Sequence, residues 1–262
     1  MSTEFSGKIV LITGASKGIG RGIAKAFAEH GATTILVSSS ATNLKEASEA
    51  IAETGLARPD YVVADLRLED SRKNVFKYVQ EHYGKCDILI NSAGATRAGA
   101  FTEQSEDLWQ DGFALKFFGC VSLCRQFWPL LVKEKGHIVN IIGGAARTPD
   151  AAFLIGGSVN AAMHNFTKGL STLGKREGVN VNAILPGLIE TDRVGKLFQQ
   201  RAEVSGKTME QERAQQIEKE GLNRLGTPED VAALTLFICS EAARHIQGTG
   251  IAVDGGGTPG LY

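Results

Sequence analysis

The chain has 262 residues, of which 43% are hydrophobic and 22% charged; this fits one large domain with a sizeable core and excludes wholesale disorder. Lys plus Arg total 28 against 29 Asp plus Glu, a net charge of -1, so no broad electrostatic pull toward nucleic acid or an anionic membrane is expected. No apolar run approaches the ~20 residues of a bilayer span. Residues 1–8 are polar and pass straight into a short strand pattern rather than a secretory leader. The four cysteines lack framework spacing, which points to a reducing, cytoplasmic setting. Cys120 and Cys124 lie one helical turn apart without a nearby His or third Cys, and read as packing residues in a protein without a metal site.

In chain order, a β-branched strand at residues 8–13 meets a Gly-rich turn and a helix over 19–30, ended by Gly31. A strand at 33–37 and a helix at 43–53 follow, then a strand at 61–64, a helix at 70–83 and a strand at 87–90. Residues 103–135 predict a long helix with a break near Gly119, leading to a strand at 137–142. Helix 156–176, strand 179–185, helix 229–240 and strand 250–253 complete the series. Seven strands separated by helices predict a single α/β domain, a doubly wound Rossmann fold with a seven-stranded parallel sheet covered on both faces. The polar stretch 192–226 follows a strand end and reads as a helical lid over a site, with a solvated helical decoration as the plainer option.

The first turn reads Thr13-Gly14-Ala15-Ser16-Lys17-Gly18-Ile19-Gly20. Glycines at 14, 18 and 20 permit a tight turn and let a pyrophosphate approach the helix N-terminus, where free N–H groups and the dipole favour anions. In such folds an acid ending the second strand binds the adenosine ribose 2′-hydroxyl. Here the stretch is Val37-Ser38-Ser39-Ser40, with no carboxylate. Hydroxyl donors, the absent repulsion and the Lys17 cation favour a 2′-phosphate, hence NADP over NAD.

These motifs resemble the short-chain dehydrogenase/reductase (SDR) family, in particular members similar to 3-oxoacyl-carrier-protein reductases, over nearly the whole chain. TGASKGIG resembles the family's TGxxxGxG turn, Asp65-Leu66 its adenine-side acid, and Asn91-Ser92-Ala93-Gly94 its NNAG. Val181-Asn182-Ala183 with Pro186-Gly187 and Thr191 resembles the segment around the nicotinamide. Arg224-Leu225-Gly226 with Pro228-Glu229, then Gly248 to Gly256, resembles the closing section. Turn and resemblance together assign to the cofactor Gly14, Ser16, Lys17, Gly18, Ile19, Gly20, Ser38, Ser39, Asp65, Leu66, Asn91, Ala93, Gly94, Asn160, Pro186, Gly187, Leu188, Ile189 and Thr191. The resemblance also implies a homo-oligomer, tetrameric or dimeric, and a small-molecule substrate or ligand.

The catalytic segment departs from the family's pattern. The positions of the family's Tyr-x-x-x-Lys fall on Gly156 and Asn160, its Ser on Gly143 and its helix Asn on Lys116. No register shift restores the phenol, because the tyrosines are Tyr61, Tyr78, Tyr83 and Tyr262. Losing a general acid typically costs ~10²–10⁴ in rate, so an ordinary ketone reductase is not expected. Lys116 and Asn160 are the candidates to line the vacated cleft, Lys116 as a polarising cation and Asn160 as a ribose contact or a cap near the helix start. His164 reads first as a packed residue. Arg147, Thr148, Asp150 and Ser158 stand in the region opening that helix, and Gly143-Gly144 offers N–H groups to an oxyanion. Gly156→Tyr with Asn160→Lys is expected to raise any trace activity. Three classes stay open: a divergent oxidoreductase, a lyase or hydrolase reusing the cleft, and a non-catalytic nucleotide-binding subunit or sensor beside a catalytic partner.

Overall fold

Strand β1 (Ile9–Thr13) sets the pattern that the sheet repeats. Successive side chains of a strand point to opposite faces, and here both faces are dry. Val10 and Ile12 enter one core; Ile9 and Leu11 enter the other. Burying one such side chain is worth roughly 1.5–3 kcal/mol, which is why the buried strands read as apolar runs rather than as alternation.

The computed structural model describes residues 3–258. Beside β1 stand β2 (Thr33–Ser38), β3 (Asp60–Val63), β4 (Ile88–Asn91), β5 (His137–Ile141), β6 (Asn180–Pro186) and β7 (Gly250–Val253). All pairings are parallel, in the order β3-β2-β1-β4-β5-β6-β7. One face carries α1 (Gly18–Glu29), α2 (Ala41–Ala52) and, from late in the chain, Pro228–Cys239. Their Ile23, Phe27, Leu44, Val231 and Ile238 share one core. The other face is covered by α3 (Glu69–Tyr83), the helices between β4 and β5, and the helix before β6, through Val75, Leu123, Phe127 and Met163. The doubly wound expectation therefore holds.

Two helices differ from the sequence reading. The stretch 103–135 is not one helix with a break at Gly119. A 3₁₀ turn at Phe101–Glu103 precedes α4 (Glu106–Gly112), a π-helical stretch at Phe113–Phe118 and α5 (Gly119–Glu134). Gly119 keeps helical dihedrals; a Cβ there would lie 3.3 Å from Leu66, so the glycine serves close packing rather than a break. Helix α6 (Leu154–Glu177) begins two residues before the expected start. Ser158 lies in its second turn, and Asn160 is an interior residue, not a cap. The polar stretch 192–226 folds into α7 (Asp192–Ser205) and α8 (Met209–Lys219) before α9 (Pro228–Cys239).

At the opposite end of the central strands from the Gly-rich turn, Asp87 ties β4 to β1. Its carboxylate accepts from the Lys8 Nζ at 2.9 Å and the Ile9 N–H at 2.9 Å, with Lys85 at 3.2 Å. Burial pushes its pKa up, but the Ile9 N–H and the two lysines outweigh that and hold it below the usual carboxylate range. Asp87→Ala leaves the buried Ile9 N–H short of its acceptor, a loss expected at about 1–3 kcal/mol in urea unfolding at pH 7. A depressed carboxyl stabilises above its unfolded pKa of ~3.9 and loses that effect as pH falls through the folded value. The gap between wild type and variant should therefore narrow at pH 3; an equal gap at both pH values would contradict this account.

Candidate active site

The strand order reverses between β1 and β4, and in open α/β sheets a crevice forms at that point, outside the C-terminal strand ends. Here one hydroxyl shapes the crevice. Thr13 Oγ1, almost fully buried, accepts from the N–H groups of Ser92 and Ala93, each at 3.0 Å, and donates to the Ile90 carbonyl at 3.4 Å. The next residue, Gly14, has φ +66, and a Cβ on it would stand 2.8 Å from the Ser92 carbonyl oxygen. A Cβ on Gly20 would collide with the Gly14 carbonyl. These are places where only glycine lets two backbones meet.

Helix α1 then starts with Lys17 extended, no side-chain cap and no acid in its first turn. Its leading N–H groups are offered to an anion. Thr191 closes the far side, with its methyl 3.1 Å from where a Gly18 Cβ would be. Segments 14–20, 91–94 and the start of α7 therefore converge, and the glycine cradle fits a dinucleotide pyrophosphate. On the adenosine side, Ser16 Oγ donates to Ser38 Oγ at 3.1 Å, and Ser40 caps α2 through the Asn43 N–H at 3.3 Å. Lys17 and Ser39 are exposed beside them. Asp65 accepts from the Arg67 N–H at 3.0 Å and its guanidinium at 3.2 Å.

Some of the expected contacts can be made only by backbone. The side chains of Leu66 and Ile189 are buried in the two cores, and Ile19 packs against one of them. Pro186 ends β6, the Gly187 N–H donates to the Val253 carbonyl at 3.0 Å, and the Leu188 carbonyl accepts from Gly226 at 3.0 Å.

At the other end of the crevice the structure joins Lys116 and Asn160. Lys116 Nζ donates to Asn160 Oδ1 at 2.7 Å. Its stem crosses Gly94, whose added Cβ would lie 2.8 Å from Lys116 Cδ, and Asn160 Nδ2 would lie 2.8 Å from a Gly143 Cβ. Gly94 and Gly143 thus leave the space that this pair fills. Burial, with the Arg193 guanidinium adding repulsion, pushes the Lys116 ammonium down to about 8, against a smaller pull from Cys120. Underneath runs a buried relay. Asn91 Nδ2 donates to Asn140 Oδ1 at 2.9 Å, Asn140 Nδ2 to Thr167 Oγ1 at 2.9 Å, and Thr167 to the Met163 carbonyl at 2.8 Å. Cys120 donates to the same Asn140 oxygen at 3.4 Å, so Cys120 and Cys124 are packing residues inside the relay.

Other sequence candidates lie elsewhere. His164 Nε2 stands 3.4 Å from Arg147 and against Gly250, and Arg147 donates to the Gly250 carbonyl at 3.2 Å. Asp150 accepts from the Ala152 N–H at 2.8 Å. None of these contacts reaches Lys116 or Asn160. Two residues escaped the sequence reading. The Phe153 ring, at the residue just before α6, covers Gly156, where any Cβ would run into it; a large apolar residue beside the glycine that opens the expected helix was the one available signal. Arg193 reaches across from α7 to the Thr96 carbonyl at 3.0 Å, a contact with no local signature. Helices α7 and α8 border a cleft of about 510 Å³ lined by Thr191, Val194, Phe198, Met209, Arg213 and Leu225. Among the described residues, no cluster of three His, Cys, Asp or Glu side chains is placed to hold a metal, and no helix is long and apolar enough to cross a membrane.

Comparison with known proteins agrees with this geometry. Residues 14–258 match the family model described as enoyl-(acyl carrier protein) reductase. The chain is 32% identical over 257 residues to 3-oxoacyl-[acyl-carrier-protein] reductase FabG of Aquifex aeolicus, covering 98% of this chain and 99% of the relative. It is 32% identical over 259 residues to D-beta-hydroxybutyrate dehydrogenase of Cupriavidus necator, covering 96% and 98%. Among solved structures, L-sorbose reductase of Gluconobacter frateurii, complexed with NADPH and L-sorbose, superposes with a TM-score of 0.95 at 30% identity over all of both chains. The chain belongs to the short-chain dehydrogenase/reductase family of oxidoreductases.

Proposed function

We propose that this protein binds NADP(H) in the crevice between β1 and β4 and that its reacting end works without the family's tyrosine. The glycine cradle and uncapped α1 support the pyrophosphate site. The Ser16–Ser38 pair beside Lys17, and the absence of an acid after β2, support a 2′-phosphate. The family's NADPH-bound sorbose reductase is consistent with that preference. Bound there, the nicotinamide would supply or accept a hydride.

The observation that carries the second half of the reading is the Lys116–Asn160 pair at 2.7 Å beside a Gly156 covered by Phe153. No phenol stands between residues 84 and 261. Relative to the family's pattern, amide and ammonium have exchanged places. Lys116 is the proton-bearing group at this end: its ammonium can donate a hydrogen bond to a substrate oxygen that gains charge, while Asn160 fixes where that ammonium stands. With a pKa pushed down to about 8, its donor form prevails at neutral pH and declines above it. Helices α7 and α8 would act as the lid, excluding water from that contact. Lys116 here stands without the tyrosine and serine that hold a carbonyl in the family's pattern, so β-ketoacyl thioesters and simple ketones are expected to be poor substrates.

Three outcomes test this. In calorimetry, NADP should bind more tightly than NAD, and Lys17→Ala should weaken NADP about fivefold, or about 1 kcal/mol, with NAD little changed; equal losses for both would reject the phosphate assignment. Oxidation of NADPH by a β-ketoacyl thioester should stay far below the ~1–10³ s⁻¹ of working enzymes; turnover within that range would overturn the reading of the reacting end. The third outcome concerns Gly156→Tyr with Asn160→Lys. The new Cβ meets the Phe153 ring, so the double variant should be destabilised by about 1–3 kcal/mol with no gain in activity. Adding Phe153→Ala should relieve the clash and raise trace activity above the double variant, read by thermal melts and NADPH oxidation.

A further inference from the structure

The charges around Lys116 do not balance. Its Nζ has the amide oxygen of Asn160 as its hydrogen-bond partner, not a carboxylate. Arg193, brought over by α7 to the Thr96 carbonyl, adds a second cation close enough to repel it. Among the described residues, neither cation is in an ion pair with a carboxylate. Asp111 and Asp65 pair with Arg67, and Glu190 with Arg213 at 2.7 Å, rather than with either cation. Charges withdrawn from water are costly unless paired. Arg193 meets solvent, whereas Lys116 is half-buried with its stem packed over Gly94, so the cost falls mainly on Lys116.

We propose that the ligand held at the reacting end is an anion, a small carboxylate seated between the Lys116 ammonium and the Arg193 guanidinium. This rests on the cofactor reading above for its neighbour but not for its own contacts. One carboxylate oxygen takes the Lys116 Nζ, which keeps its bond to Asn160. The other faces the Arg193 fork, which is suited to planar oxyanions. Because Arg193 sits in the first turn of α7, ligand charge would also bind that end of the lid to the β4 loop. Pairing restores the charge on Lys116 that burial and Arg193 disfavour, so binding draws in a proton as the pH nears 8. The groups acting on Lys116 in this argument are Arg193 from α7 and Cys120 from its own helix, with the neutral Asn160 amide from α6.

Malonate, and malonamide as its neutral counterpart, are the probes, titrated by calorimetry into the protein with and without saturating NADPH. Malonate should bind at least tenfold more tightly than malonamide at pH 6.5. That advantage should shrink about tenfold by pH 9.5, as Lys116 loses its proton. Arg193→Gln, at an exposed position, and Lys116→Met, which keeps the stem, should each weaken malonate at least tenfold, with thermal melts to check that both variants are folded. If Lys116→Met does not fold, Arg193→Gln and the pH series decide. Equal binding of malonate and malonamide, or variants that bind malonate as wild type does, would overturn the proposal. Malonate binding that is lost on NADPH saturation would also overturn it, by showing that cofactor phosphate is the anion those cations await. Failure of NADPH to bind would strike the cofactor reading alone, since the arms without dinucleotide still report on Lys116 and Arg193.

Discussion

The site depends on a parting of two strands. Pairing between β1 and β4 ends at Ile12 and Ile90, because beyond that point the chain must leave the sheet in two directions. Backbone N–H groups left behind at such a fork need a partner. Thr13 supplies it with one oxygen that serves both Ser92 and Ala93. A valine of the same shape would fill the space yet leave two donors unmet. From this hydroxyl follow the position of the β4 loop, the close approach of Gly14, and the reach of Gly94 beneath the Lys116 stem.

A second constraint sits one layer deeper. Asn140 is fully buried, and its amide is satisfied on both sides, by Asn91 and Cys120 at the oxygen and by Thr167 at the nitrogen. This links β4, β5, α5 and α6 by groups whose loss would each strand a buried polar atom. Such networks specify one arrangement more sharply than apolar packing does. Lys116 and Asn160 come from two of the elements that this network joins, the helix entering α5 and α6 itself. Their 2.7 Å contact therefore stands on a fixed base.

The fold was legible because its signals are local and repeated. Strand runs such as 8–13, glycines at strand ends and the 13–20 turn each announce themselves within a dozen residues, and the alternation of strands with helices implies a parallel sheet covered on both faces. The same is true of the family resemblance. The reacting end was legible only as a set of departures, since Lys116, Gly143, Gly156 and Asn160 could be named but not arranged. What joins them is long-range: Lys116 meets Asn160 across 44 positions and Arg193 meets Thr96 across 97. Phe153 was missed for another reason: it ends a 3₁₀ turn just before α6, outside the helix, and its ring folds back over Gly156. Helix ends are set by tertiary packing as much as by caps, and boundaries are where local reading is weakest.

A helix that carries a surplus residue can also lose it. The π-helical stretch at Phe113–Phe118 holds one residue more than an ordinary helical turn would. Deleting a single residue there would let a regular ladder run from α4 into α5. Because a π-helical turn absorbs its surplus residue, the helices on either side would keep their places, and only the residues within the stretch would shift, by as much as one position or about 100° about the axis. Lys116 would be swept off Asn160 without any change in its chemistry. In evolutionary terms, the length of this stretch is as much a part of the site as the lysine it carries. A relative that keeps the lysine but has a regular helix would have a different active site.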